Sequence, residues 1–295
     1  MRHPRRHATS IATVSLSGTL PEKLEAAAAA GFDGVEIFAK DLQDFSGTAA
    51  DIRRYAASLH LDLLMYQPFR DFEGMPASQF DGNMARAAQA FDAMEALGTD
   101  LLLVCSNVQE TASDDPERAA ADLWQLAEAA GQRGLRIGYE ALAWGRHVRH
   151  WRQAWDIVQR AGHPALGLIL DSFHTLALAA SQDEPVAEAL RGIDTIPAER
   201  LFFVQLADAP RMALDVLSWS RHHRNFPGQG ELDVAAFCRA VQRTGYRGPL
   251  SLEIFNDVFR LTPPLPVARD GLRSLQWIED QAAGYQAATT ATLRS

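Results

Sequence analysis

The sequence predicts a single (β/α)₈ TIM barrel, an α/β fold in which eight parallel strands close into a ring. Two observations indicate this fold. Short apolar segments alternate with helix-like stretches eight times along the 295 residues. These segments also lack the polar alternation of half-exposed strands, which is typical of parallel strands that are covered on both faces. Repeated strand–helix units predict a parallel sheet, and eight of them are the number that closes a barrel.

The predicted elements follow one another in a regular order. Each strand is bounded by Gly, Asp or Pro, and the eight strands cover residues 10–16, 33–39, 61–68, 100–106, 136–142, 166–172, 201–208 and 248–255. The clearest helices stop before a glycine, which suits the left-handed residue that ends many helices. They cover residues 21–30, 78–97, 115–133 and 233–244. Pro21 supports the start of the first, because proline is favoured in a first helical turn.

One connection is longer than the others. Residues 209–230, after strand seven, form the longest predicted non-helical segment. Long loops in compact domains are usually lids or binding loops. We see no linker or low-complexity tract, so we expect residues 1–295 to form one domain. The basic residues 1–9 are not followed by an apolar signal region, and we expect them to be a disordered tail.

Composition narrows the functional classes. The net charge is −9, which argues against nucleic acid as a partner because phosphate contacts need a basic surface. No apolar run approaches the length that spans a membrane. The two cysteines, Cys105 and Cys238, form no metal or redox motif, so we expect a cytoplasmic location. Assembly into a homo-oligomer stays open.

Four isolated polar residues stand at the ends of strands five to eight. They are Glu140 in RIGYEAL, Asp171 in LGLILDSFH, Gln205 in LFFVQLAD and Glu253 in PLSLEIFND. A carboxylate in an apolar strand is costly to bury without a partner. Side chains alternate along a strand, so all four can point into the barrel. They also lie at the C-terminal ends of the strands, where barrel enzymes carry their chemistry.

Three carboxylates and one carboxamide predict a divalent metal site. An oxygen-only set suits Mg²⁺ or Mn²⁺ better than a site dominated by imidazole or thiolate, and it leaves Co²⁺ and Zn²⁺ open. The alternative is that one or two of the acids pair with arginines in a buried ion network. The placement of all four at strand ends favours the metal.

Other residues near the same mouth are candidates for substrate binding and proton transfer. His174 lies three residues after Asp171, and a histidine there could move a proton beside a bound substrate. Arg70 follows strand three, and Arg224 precedes FPGQGELD, which predicts a rigid turn. Arginine binds carboxylates with a planar fork, so both arginines could hold an anionic substrate. Glu36 points inward by the same alternation and either lines the site or belongs to a buried ion pair.

Two basic segments have simpler interpretations. Arg221 and the two histidines after it could face an anionic substrate or belong to a solvated loop. In WGRHVRHWR, residues 144–152, the arginines have helical spacing. We therefore interpret Arg146, Arg149 and Arg152 as a solvated helix face.

From about residue 10 to residue 280, the chain resembles the sugar-phosphate isomerase/epimerase superfamily, the xylose isomerase-like TIM barrels. Within it, several strings resemble the bacterial 3-dehydroshikimate dehydratases: SIATVSLSGTLPEKLEAAAAAGFDGVEIF, QPFRDFEG, YEALAWG, LDSFH and HHRNFPGQGELD. The barrel pattern alone is weak evidence, because many chemistries share it. Some family members carry a dioxygenase-like domain after the barrel. This sequence ends at Ser295, so we expect the barrel alone.

The resemblance also implies roles for individual residues. Relatives with Glu-x-His on strand five are known, but Leu142 stands at that histidine position here, which puts more weight on His174. The family's loop serine and arginine correspond to Ser220 and Arg224, as substrate-binding residues. The implied metal ligands are the four already found from the strand pattern: Glu140, Asp171, Gln205 and Glu253.

The implied activity is metal-dependent dehydration of 3-dehydroshikimate to protocatechuate through a metal-stabilised enolate. His174 is the expected base, with the metal-ligand carboxylate of Glu140 as its rival, and Arg70 assists by holding the substrate. The main alternative is a sugar or ketose isomerase or epimerase, which also needs a metal. Arg70 and the basic loop favour an anionic substrate and hence the dehydratase.

Two further alternatives are disfavoured. An endonuclease-IV-like repair enzyme would need more histidine ligands and a basic groove. A non-catalytic barrel would have no need of the complete metal set.

Overall fold

Eight short apolar segments of the chain form parallel strands that close into a barrel. The computed structural model describes the backbone of residues 7–292 and the side chains of residues 7–283. Within these residues each strand pairs with the next in sequence, and β8 pairs with β1. The strands are β1 Thr9–Ala12, β2 Gly34–Phe38, β3 Asp62–Phe69, β4 Leu101–Cys105, β5 Arg136–Glu140, β6 Leu166–Asp171, β7 Leu201–Leu206 and β8 Leu250–Leu252. The predicted (β/α)₈ fold is confirmed.

Helices cover the outer face of the barrel. Local sequence explains their bounds: Thr19 and Glu22 form a capping box at the start of the first helix, and Gly31, with a φ of 97°, ends it. The helices are α1 Leu20–Ala30, α2 Ala39–Asp44, α3 Ala49–Ser58, α4 Phe80–Leu97, α5 Pro116–Gly131, α6 Trp151–Ala161, α7 Ser172–Ser181, α8 Val186–Leu190, α9 Val216–His222, α10 Val234–Arg243, α11 Asp257–Leu261 and α12 Pro264–Thr292. No helix in this part of the chain is both long and apolar enough to cross a membrane.

The two faces of each strand carry different side chains, as the alternation predicts. Tyr139, Leu170 and Val204 face outward and belong to the large core between strands and helices. Inside the barrel, Ile169 and Phe203 belong to a second, smaller apolar cluster. Gly138 makes this interior packing possible, because a Cβ at that position would lie 2.4 Å from Cδ1 of Ile169. This apolar layer is the floor on which the polar residues of the mouth rest.

Two expectations about the chain's irregular parts are wrong in detail. The connection after β7 is not free of helix, because it contains α9. Residues 144–152 do not form a helix face: α6 begins only at Trp151, so Arg146 and Arg149 precede it. His150 caps that helix by accepting a hydrogen bond from the backbone N–H of Arg152.

The last three residues of the predicted tail, 7–9, are ordered parts of the structure. Thr9 is the first residue of β1, and His7 is buried with its Nδ1 atom 2.9 Å from the backbone oxygen of Gly248. Residues 7–9 are therefore part of the barrel. Residues 1–6, the rest of the predicted tail, lie outside the described residues.

Candidate active site

The four predicted metal ligands lie together at the C-terminal mouth of the barrel. Glu140 and Asp171 are the last residues of β5 and β6, Gln205 is one residue from the end of β7, and Glu253 follows β8. All four are buried, and Glu253 is the most exposed of them at 6%. The alternation of strand side chains thus placed them correctly.

Sequence analysis missed two further polar groups in this layer. Gln67 on β3 and Cys105 on β4 both line the pocket above the layer. The Cys105 thiol donates to Oε2 of Glu140 over 3.7 Å. The same alternation could have found both residues, because each lies two positions after an inward-facing apolar residue, Met65 and Leu103 respectively.

Glu36 lies beneath the pocket and not in its lining. Its side chain is fully buried, and its Oε2 atom accepts hydrogen bonds from the amides of Gln67 at 3.0 Å and Gln205 at 2.7 Å. Glu36 is not in the pocket lining, and its partners among the described residues are the two amides and the hydroxyl of Ser251, with no cationic side chain in an ion pair. Gln67 also donates to Oε1 of Glu253 at 2.8 Å, so one amide joins two carboxylates.

The mouth contains a set of atoms that fits a metal ion. Ligand atoms of Glu140, Asp171 and His174 lie within 4.8 Å of one another. Oε1 of Glu140 and Oε1 of Gln205 are buried without a hydrogen-bond partner. Buried oxygens are normally paired, so two unpaired ones at the same mouth are what a cation site requires.

The electrostatics of these acids favour a cation for the same reason. Burial, reinforced by the charges of Glu253 and Asp171, raises the pKa of Glu140 well above its usual value. Burial also raises the pKa of Asp171 to about 6. Burial and the nearby charge of Glu253 raise the pKa of Glu36 to about 8. Carboxyl groups that are hard to ionise together are stabilised in their charged form by a positive ion.

Arg224 lies deeper than expected. We expected it at the rim with its guanidinium free for substrate, but it is only 1% exposed. Its Nη1 donates to Asp171 at 2.7 Å and to Oε2 of Glu253 at 3.0 Å. Ser220, the predicted loop serine, is also buried and accepts from Nε and Nη2 of the same arginine. Two of the predicted ligands are therefore paired with an arginine, the arrangement that the ion-network alternative described.

His174 faces the carboxylates, and its surroundings keep it neutral. Its Nε2 lies 3.7 Å from Asp171, 3.9 Å from Glu140 and 3.2 Å from Nη2 of Arg224. Its Nδ1 accepts a hydrogen bond from the backbone N–H of Ala143 at 3.3 Å. Burial and the positive charge of Arg224 lower the pKa of His174 well below its usual value. A neutral imidazole has one ring nitrogen without a proton, and the hydrogen bond from Ala143 makes that nitrogen Nδ1 in this structure.

A pocket opens above these residues at the mouth of the barrel. Arg70, predicted to lie just past strand three, is in its wall, and so is Arg221 from α9. Neither guanidinium has a carboxylate partner within 4.0 Å among residues 7–283, although Arg221 lies over the ring of Phe255 at 5.8 Å. The wall also includes Trp144, whose ring packs edge-on against His174 at 5.0 Å. The pocket therefore presents positive charge above a floor of acids.

A buried aspartate, missed by sequence analysis, shapes the loop after β7. Asp208 accepts backbone N–H groups from four loop residues: Ala209, Gly228, Gly230 and Leu232. Its backbone pairs with Asn225, next to Arg224. Gly230 is required here, because a Cβ would lie 2.4 Å from Oδ1 of Asp208. Asp208 thus explains the turn that FPGQGELD predicted.

Comparison with known proteins identifies the family. A model of the xylose isomerase-like TIM barrel matches residues 24–280. The chain belongs to this family. Xylose isomerase-like barrels share an architecture, and the roles of individual residues must be argued from each site.

Relatives within the family agree with the resemblance in the sequence. The 3-dehydroshikimate dehydratase of Pseudomonas aeruginosa is 60% identical over 272 residues, which cover 92% of this chain and 42% of that protein. The chain thus spans less than half the length of this relative. The 3-dehydroshikimate dehydratase of Neurospora crassa is 28% identical, with 81% of this chain and 82% of that protein covered. A solved xylose isomerase-like TIM barrel/4-hydroxyphenylpyruvate dioxygenase fusion protein has a TM-score of 0.92 and 55% identity, covering 97% of this chain and 45% of that one.

Proposed function

We propose that this protein is a metal-dependent dehydratase that converts 3-dehydroshikimate to protocatechuate. The observation that carries the proposal is the floor of buried carboxylate and amide oxygens beneath a pocket with positively charged walls. The two dehydratases named above support the same substrate. In the Neurospora relative of this name, the aligned part covers 82% of the protein.

The proposed metal ligands are Glu140, Asp171, Gln205 and Glu253, and the proposed ion is Mg²⁺, Mn²⁺ or Co²⁺. The unpaired oxygens of Glu140 and Gln205 support this assignment. When bound, the ion would act as a Lewis acid that polarises the substrate ketone and makes the neighbouring carbon acid more acidic. The charge of Arg224 would be shared with the ion at Asp171 and Glu253.

His174 is the proposed base. It would take a proton from the carbon next to the ketone, after which the β-hydroxyl leaves as water and a proton shift completes the aromatic ring. Its low pKa keeps the ring neutral. To accept a proton at Nε2 the ring must carry its own proton on Nδ1, so the contact between Nδ1 and the Ala143 N–H would have to give way when substrate binds. Glu140 is the weaker candidate for the base, because its carboxylate would be a ligand of the ion when the ion is bound, and its raised pKa keeps it protonated near neutrality when the ion is absent.

Arg70 and Arg221 are proposed to hold the substrate carboxylate. Both line the pocket, and both lack a carboxylate partner within the described side chains. The sequence pattern suggested Arg224 beside Arg70, but the guanidinium N–H groups of Arg224 donate to Asp171, Glu253 and Ser220. We therefore propose that Arg224, held by Ser220, fixes the positions of the Asp171 and Glu253 carboxylates at the bottom of the pocket.

The test combines 3-dehydroshikimate with purified protein and follows the absorbance of the catechol product. Chelated protein, shown to be metal-free by elemental analysis, should be inactive, and Mg²⁺, Mn²⁺ or Co²⁺ should restore turnover. Asp171→Asn is the matched variant that should not be restored. Full activity in metal-free protein would refute the metal, and no product under any metal would refute the substrate. Ketose sugars assayed in parallel would reveal the isomerase or epimerase alternative.

A further inference from the structure

We propose that Glu36 is a positioning residue that fixes the amide of Gln205 with its oxygen directed to the metal. This inference rests on the metal site of the proposed function. It assigns a task to a buried carboxylate that touches neither the pocket nor any cation among the described side chains.

The argument begins with the ambiguity of a carboxamide. The oxygen and the NH₂ group of glutamine have nearly the same size and shape, so only its hydrogen-bond partners decide which end faces a given point. A divalent cation accepts only the oxygen as a ligand. A glutamine in a metal site therefore needs a neighbour that holds its NH₂ group on the other side.

Glu36 has the geometry of such a neighbour. Oε2 of Glu36 accepts from Nε2 of Gln205 at 2.7 Å and from Nε2 of Gln67 at 3.0 Å, and it accepts in this way whether or not the other oxygen carries a proton. Both amides must then turn their nitrogen toward Glu36. For Gln205 the remaining oxygen, Oε1, is left buried with no hydrogen-bond partner. A fully buried acceptor that is left unpaired is unfavourable unless another group completes it, and the metal is that group.

The same contacts tie the layer together. Gln67 donates its NH₂ group to both Glu36 and Glu253, the last at 2.8 Å. Glu36 thus orients one proposed ligand directly and a second through Gln67. Partners that orient ligands commonly change metal affinity by about 10- to 100-fold when they are altered.

The experiment measures Mn²⁺ affinity by electron paramagnetic resonance titration of metal-free protein, so it does not depend on turnover. Glu36→Gln should weaken binding by about 10- to 100-fold, because the new amide no longer fixes the orientation of Gln205. Glu36→Asp retains the charge but shortens the side chain, and it should also weaken binding. The exchange Glu36→Gln/Gln205→Glu should restore affinity, because a carboxylate at position 205 offers an oxygen in either orientation while position 36 can donate to it.

Glu73→Gln is the matched control. Glu73 is another buried glutamate with one unpaired oxygen, but it contacts none of the proposed ligands. Its substitution should leave Mn²⁺ affinity unchanged. Circular dichroism of every variant identifies those that fold.

The outcomes separate this inference from the proposed function. If the unaltered protein binds no Mn²⁺, the metal site and this inference both fail. If it binds Mn²⁺ and Glu36→Asp binds as tightly, only the charge of Glu36 matters and the positioning role is overturned. Wild-type affinity in Glu36→Gln, or failure of the folded exchange variant to recover, would overturn it as well.

Discussion

His174 is the residue whose two potential roles compete most directly. Its ring lies within ligand distance of Glu140 and Asp171, so the geometry permits a metal ligand as well as a base. Both roles at Nε2 need the same tautomer, with the ring proton on Nδ1 and a free electron pair on Nε2. The distinction can be measured, because a lost ligand weakens metal binding and a lost base slows the chemical step.

We expect His174→Ala to lower kcat by about 10²- to 10⁴-fold, the usual contribution of a general base. Mn²⁺ affinity should stay at the wild-type level. Asp171→Asn, which alters a proposed ligand, should lose affinity in the same titration. If the two variants lose Mn²⁺ equally, His174 is a ligand and the base lies elsewhere.

Arg70 gives a second prediction at the scale of one residue. We expect Arg70→Lys to lower kcat/KM by about 10- to 100-fold, because lysine lacks the planar fork that binds a carboxylate at two points. Steady-state kinetics with 3-dehydroshikimate would measure this. Arg146→Lys is the control, because Arg146 is exposed in the segment before α6. Arg149 is a poorer control, since its Nε donates to Ala143, which in turn contacts His174. Equal losses in Arg70→Lys and Arg146→Lys would argue against a specific contact at Arg70.

At the scale of elements, the loop after β7 depends on one carboxylate. Asp208 satisfies four backbone N–H groups that would otherwise have no common acceptor in the turn. The loop carries α9 and Arg224, so the turn also determines where Arg224 meets the carboxylates of Asp171 and Glu253.

We expect Asp208→Asn to destabilise the protein by about 2–4 kcal/mol, because its amide NH₂ would replace an acceptor and face backbone donors. Urea unfolding would measure the loss, and limited proteolysis should cut within residues 209–232 first. Asp233→Asn is the matched control: Asp233 caps α10 through one N–H, and asparagine caps about as well as aspartate. Similar stability losses in both variants would show that the loop does not depend on Asp208.

Sequence predicted the elements well where one physical rule was sufficient. Strand alternation placed Glu140, Asp171, Gln205 and Glu253 inward because apolar neighbours fixed their register. The alternation rule could not place Arg224, because this residue lies in a loop. The direction of its side chain depends on a turn that Asp208, 16 residues earlier, holds in place. The prediction of a helix face at Arg146 and Arg149 was wrong, because arginines can have helical spacing in a segment that forms no helix. The alternation rule could also have identified Gln67 and Cys105 as inward-facing residues. They were overlooked because neither is an acid that stands alone in an apolar segment.

At the scale of the whole molecule, Glu73 links the stability of the barrel to pH. It accepts from the backbone of Asn107 at 2.6 Å and from the hydroxyl of Tyr139 at 2.9 Å, and burial raises its pKa to about 7. The unfolded chain has the ordinary pKa, near 4.5. The folded state therefore binds the proton more tightly, and the associated stability is fully present below pH 4.5 and is lost as pH rises through about 7.

We expect Glu73→Gln to remove this dependence. Relative to the variant, the wild-type protein should lose unfolding free energy between pH 5 and pH 8, by a few kcal/mol at most, since one pKa unit is worth about 1.4 kcal/mol. Urea unfolding of both proteins across this range measures the difference. A difference that stays constant with pH would contradict the raised pKa.

Because the acids at the mouth of the barrel lie close together, a cation that binds there should displace protons from them. Because the pKa of Glu140 is strongly raised, this side chain keeps its proton near neutrality in the ion-free protein, and Asp171, with a pKa of about 6, is increasingly protonated as the pH falls below 7. An arriving cation must expel these protons, so apparent affinity should increase with pH. Calorimetric Mn²⁺ titrations in two buffers of different ionisation enthalpy would count the protons released, and heats that do not depend on the buffer would contradict this displacement. Protons would then compete with the metal for the same oxygens, so a fall in pH would weaken metal binding at the mouth of the barrel.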